Sequence, residues 1–166
     1  IDTATNGHLY SVRLAPSDAD GTVAGPITFV GPTNGQAAVI RATVAGGVVT
    51  FLLTNAVNVR VRALTIRGGE SGLVIRGVST NNELRGNLVS SNGLSGVRLE
   101  GIGGDANRVV SNIIRDQYSG LLFEGNRNVA TNNLIVGDSG YAVAVQTASA
   151  SNQIVRNVIR SNGFYG

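Results

Sequence analysis

Arginine and carboxylate side chains supply nearly all the ionic chemistry available to this chain. All 13 basic residues are arginine, none lysine, and 10 acids leave a net charge of +3. Arg60, Arg62, Arg67, Arg76 and Arg85 follow one another at short intervals. A guanidinium grips a carboxylate or sulfate through two parallel hydrogen bonds, so such a group suits an acidic sugar polymer. Arg76, Glu100 and Glu124 are spaced 24 residues apart, and Arg98 precedes Glu100 by two. If Glu100 and Glu124 lie side by side, their oxygens could hold Ca2+. Asp116 and Asp138 form a second candidate carboxylate pair for such an ion. The plainer reading of these residues is solvated charge on a β surface, with aspartate as a turn former.

Several chemistries are excluded or weak. Cysteine is absent, so no disulfide or thiolate metal site exists. The one histidine, His8, stands near the N-terminus, away from the other candidate residues, and no catalytic role is expected of it. Asp18-Ala19-Asp20-Gly21 resembles the start of a Ca2+ loop but lacks the downstream bidentate glutamate. A surplus of +3 falls far short of a nucleic-acid footprint. No run of 18 apolar residues is present, so no membrane-spanning helix is expected. Tyr10, Tyr118, Tyr141 and Tyr165 are too scattered in sequence to define a sugar-stacking platform.

The elements that position these side chains follow from a repeat. Asparagines recur in pairs five apart: Asn82/Asn87, Asn107/Asn112, Asn128/Asn133 and Asn152/Asn157, with steps of 25, 21 and 24 between pairs. Two mostly apolar residues follow each second asparagine, and a glycine comes seven to nine residues after it. An alternating run follows in three of the four copies: Val97-Arg98-Leu99, Leu121-Leu122-Phe123 and Tyr141-Ala142-Val143. A looser copy contains Ala63-Leu64-Thr65-Ile66, with Ala63 where asparagine is expected. Short apolar runs punctuated by glycine and asparagine, with no 3.6-residue period, read as strands and turns. A leucine-rich repeat has this length but needs a regular leucine frame around a single asparagine. The prediction is therefore an all-β, right-handed parallel β-helix of six to seven coils, about 24 residues each. It should span residues 21–166, incomplete at its C-terminal end, behind an irregular arm or cap at 1–20.

The asparagines explain themselves within such a stack. Turns need residues that tolerate left-handed backbone angles, and equivalent side chains in stacked coils lie about 4.8 Å apart. Amides at that spacing can hydrogen-bond along the stack. Asn87, Asn112, Asn133 and Asn157 are expected to form this ladder. Leu88, Ile113, Leu134 and Val158 should stack inward beside it, and Leu99, Phe123 and Val143 should form another inward stack. The same register puts Arg76, Glu100 and Glu124 in one outward column. There Arg76–Glu100 would attract and Glu100–Glu124 repel.

At this point the chain resembles the pectate-lyase-like superfamily of right-handed β-helices. Its asparagine-rich C-terminal part looks like the repeats of periplasmic and surface proteins. Gly21-Thr22, Pro26-Ile27-Thr28-Phe29, Gly35 and Ala38-Val39-Ile40 are similar to the opening coils of several polysaccharide lyase families. The resemblance implies acidic polysaccharide as a partner. In an enzyme it would imply a lysine or arginine base, often with Ca2+ held by aspartate and glutamate, or clustered carboxylates in a hydrolase. This chain has no lysine, and arginine is a poor general base. The expectation is therefore a non-catalytic extracellular, surface or periplasmic solenoid with a structural or glycan-contacting role. Open β-helix ends would let copies stack into a homo-oligomer or filament. The alternative is a polysaccharide lyase, epimerase or hydrolase.

Overall fold

A computed structural model describes residues 25–32, 38–42, 47–101, 105–146 and 149–164. The expected arm at 1–20, with His8, Tyr10 and the Asp18–Gly21 turn, lies outside these residues, as do Gly35, Tyr165 and Gly166. Short strands stack in parallel into three sheets. The first contains β1 (Ile27–Val30), β4 (Val59–Arg62), β7 (Glu83–Arg85), β10 (Arg108–Val110), β13 (Val129–Thr131) and β16 (Gln153–Val155). The second contains β2 (Ala38–Arg41), β5 (Leu64–Arg67), β8 (Leu88–Ser90), β11 (Ile113–Arg115), β14 (Leu134–Val136) and β17 (Val158–Arg160). The third contains β3 (Val49–Thr54), β6 (Ser71–Arg76), β9 (Ser95–Leu99), β12 (Ser119–Phe123) and β15 (Val143–Val145). The described residues thus form five complete coils and two strands of a sixth, slightly fewer than the expected six to seven.

The corners are set by single residues with left-handed angles. Between the first and second sheets these are Ala63, Gly86, Ser111, Asn132 and Arg156, with φ between 52° and 62°. Most are not glycine, and left-handed backbone costs about 1–2 kcal/mol at such a residue. From the second coil-to-coil step onward, the residue after each corner is an inward asparagine: Asn87, Asn112, Asn133 and Asn157. The ladder asparagines are therefore not the left-handed residues, as the sequence suggested; they follow them. Leu64, not Ala63, occupies the asparagine position in the coil before Asn87, because its N–H donates to Asn87 Oδ1 at 3.1 Å.

Each rung is bonded on both sides. Asn87 N–H and Nδ2 donate to Asn112 Oδ1 at 2.9 and 3.0 Å, and Nδ2 also donates to Val61 O at 2.9 Å. Asn112 repeats this toward Asn133, and Asn133 toward Asn157. A parallel ladder runs through Asn82, Asn107, Asn128 and Asn152. A third runs through Asn92, Gln117, Asp138 and Asn162. Buried amides paired in this way satisfy the backbone groups that each corner exposes.

Alternation from the inward asparagine shifts one expected stack by a residue. Asn87 points in, so Leu88 points out and Val89 points in. The inner column of the second sheet is Ile40, Ile66, Val89, Ile114, Ile135 and Ile159. Leu88, Ile113, Leu134 and Val158 lie outside, with Ile113 44% and Val158 56% exposed. In the third sheet Leu99 stacks on Phe123 as expected, but Val145 continues that column. Val143 belongs to the neighbouring column of Leu73, Val97 and Leu121.

Candidate functional site

Outward positions of the first sheet gather the strongest charge cluster. On β4, Val59 and Val61 are fully buried, which turns Arg60 and Arg62 to the surface. On β7, inward Leu84 turns out Glu83 and Arg85; on β10, inward Val109 turns out Arg108. Register places Arg60, Glu83 and Arg108 in one column and Arg62 beside Arg85 in the next. Glu83 is the hub. Its Oε1 accepts from Arg62 Nη2 at 2.9 Å and from Arg85 Nε at 3.2 Å, and Oε2 lies 3.9 Å from Arg108 Nε. Burial pushes the Glu83 carboxyl pKa up, but the Arg62 hydrogen bond and the charge of Arg85 outweigh it, and the net shift is downward. Glu83 is thus an anion, not a proton donor, at neutral pH.

Four guanidinium groups around one carboxylate leave this face strongly positive. Arg60 forms no ion pair among the described residues, so its donors face solvent. Asn58, Arg60, Asn81, Glu83 and Arg108 line an open depression of about 260 Å3. Rigid strands hold these groups, so little ordering of the protein is needed for an anionic partner to settle there. Sequence spacing hinted at part of this cluster only. Glu83 and Arg108 were missed, although their separation of 25 equals that of Asn82 and Asn107, which marks them as partners in register.

The remaining expected site residues lie elsewhere. Arg76 and Arg98 sit on the third sheet, Glu100 and Glu124 directly follow its strands β9 and β12, and Arg67 is on the second, so the arginine group read from sequence is split over three faces. Arg98 Nη2 donates to both oxygens of Glu124 at 2.9 and 3.2 Å, and its Nε lies 3.3 Å from Glu100 Oε1. Arg76 Nε is 3.9 Å from Glu100 Oε2. The expected Glu100–Glu124 repulsion is therefore relieved by a guanidinium that holds both carboxylates. Two arginines and two glutamates make this cluster neutral.

Asp116 and Asp138 occupy the same turn of neighbouring coils but adjacent columns. Asp116 is a left-handed corner residue, half exposed and paired with Arg115 at 3.2 Å. Asp138 replaces asparagine in the third ladder and is 1% exposed. Its Oδ1 accepts from Gln117 N–H and Nε2 at 3.2 and 3.0 Å, while buried Oδ2 has no partner. Burial, opposed by the Gln117 hydrogen bonds and assisted by Asp116, pushes its pKa up to about 6. Among the described residues no three histidine or acidic side chains gather as a metal site. Stacking of coils also brings together tyrosines that look scattered in sequence. Tyr118 and Tyr141 meet edge to face, with ring centroids 6.0 Å apart.

The family described as right handed beta helix region matches residues 31–166. The chain belongs to the right-handed β-helix family. No curated protein and no solved structure shows significant similarity to this β-helix chain. No helix among its described residues is long and apolar enough to cross a membrane.

Proposed function

We propose that this β-helix is a non-catalytic module, outside the cell or on its surface, that contacts acidic polysaccharide through the Arg60–Arg62–Arg85–Arg108 face. The observation that carries this reading is the excess of guanidinium over carboxylate there, with Arg60 unpaired among the described residues. Bidentate donors spaced one coil apart suit an extended chain of carboxylates or sulfates. A binding rather than catalytic role is supported by the state of the nearby acid, since Glu83 is held ionised by arginine. Copies stacked end to end would continue the same face along a filament.

Isothermal titration of polygalacturonate against the wild type and an Arg60→Ala/Arg108→Ala variant tests this function. Each charge-assisted contact is worth about 1.5–3 kcal/mol, so the variant should bind at least about tenfold more weakly. Wild-type binding should also weaken as salt is raised. Equal affinities for the two proteins would remove this face as the contact surface.

A further inference from the structure

Aromatic residues divide sharply between inside and outside. Of the six described, Phe51 and Phe123 are fully buried and Phe29 packs against the same core. The other three, Tyr118, Tyr141 and Phe164, stand on successive coils at the corner between the second and third sheets, and are 40%, 37% and 65% exposed. Their ring centroids are 6.0 and 6.4 Å apart, which makes them one continuous stripe along the solenoid axis. Leu94, 38% exposed, precedes them one coil earlier. A side chain on Gly140 would come within 2.9 Å of the Tyr118 ring, so the glycine leaves that ring its place.

Surroundings narrow the choice of occupant. The corner carries exposed Asp116, Ser139 and Ser161; of the two arginines beside it, Arg115 is paired with Asp116, and Arg160 ends the last strand of the second sheet. One arginine beyond a neutral Arg115–Asp116 pair leaves the corner with little net charge, unlike the arginine face on the first sheet with four guanidinium groups around one carboxylate, so nothing here selects an acidic polymer. The stripe is one ring wide and bordered by polar turns. That is too narrow for the roughly 800 Å2 per partner of a stable protein interface. Aromatic faces with polar groups at their edges match a sugar ring, whose C–H surface lies on the rings and whose hydroxyls reach the polar border.

We propose that Tyr118, Tyr141 and Phe164 form a second carbohydrate site, separate from the arginine face, that takes neutral saccharides lying along the solenoid axis. The test is calorimetric titration of the full chain with cellohexaose, xylohexaose and mannohexaose, with tyrosine fluorescence as a second readout. At least one hexasaccharide should bind, and Tyr118→Ala/Tyr141→Ala should weaken it tenfold or more. Arg60→Ala/Arg108→Ala should leave that affinity unchanged, so this site and the acidic-glycan face fail or succeed separately. If the double tyrosine variant does not fold, Phe164→Ala, at the most exposed ring, should weaken binding at least threefold. The proposal is overturned if none of the three sugars binds, if the aromatic variants bind like the wild type, or if only the arginine variant loses binding.

Discussion

Replacing Asp138 with asparagine should stabilise this protein, and the gain should depend on pH. Asp138 is 1% exposed, and its Oδ2 stands where a ladder asparagine would place an amide donor. Asn92 shows that the amide fits: its Nδ2 lies over Gly72 as Asp138 Oδ2 lies over Gly120. The folded carboxyl is pushed up from 3.8 to about 6, mainly by burial. At 1.36 kcal/mol per unit this is about 3 kcal/mol of differential stability. The folded state binds the proton more tightly than the unfolded chain. Stability from this group is therefore full below pH 3.8 and is lost as pH rises through about 6. Asp138→Asn has no proton to lose, so it should exceed the wild type by about 3 kcal/mol at pH 8 and by far less at pH 4. For a chain of this size that is roughly 6–12 °C in Tm. Paired denaturant and thermal unfolding at both pH values measures it. A variant no more stable than wild type at pH 8, or a gain equal at pH 4 and pH 8, would mean that the buried Asp138 carboxylate does not destabilise the fold.

Two further outcomes follow from other residues. Asn112→Ala should cost at least about 2 kcal/mol in chemical denaturation, because it removes the partner of Asn87 N–H and of Leu84 O at about 1–3 kcal/mol each and leaves Asn87 Nδ2 only its bond to Val61 O. A loss under 1 kcal/mol would mean that the ladder does not act as a unit. Glu83→Gln removes the only anion among four arginines. Because the folded Glu83 pKa lies below 4.5, its contribution is present above that pH and lost in acid. The variant should be less stable than wild type at pH 7, converge with it in acid, and bind polygalacturonate more tightly.

The period and the asparagine ladder were legible because polar residues buried in stacked coils must repeat to satisfy one another. Asn87, Asn112, Asn133 and Asn157 are bonded rung to rung as that argument requires. Phase was harder. Leu88 and Ile113 are as apolar as Val89 and Ile114, and only the inward direction of the preceding asparagine decides which of each pair faces the core. The third ladder was hidden by its chemistry, since Gln117 and Asp138 interrupt the run of asparagines. The site was legible in composition and blurred in position. Arg60, Arg62, Arg67 and Arg76 are near in sequence, yet each corner turns the chain by one face, so neighbours in the chain part company and residues a coil apart meet. Tyr118 and Tyr141 met for the same reason.

In the proposed function the arginine face holds an acidic glycan without cutting it. Size-exclusion chromatography with light scattering, on polygalacturonate incubated with the full chain in the presence and absence of Ca2+, tests both halves at once. Protein should co-elute with polymer, dissociate in high salt, and leave the polymer mass unchanged after prolonged incubation. A falling polymer mass, or protein that elutes alone in low salt, would contradict it.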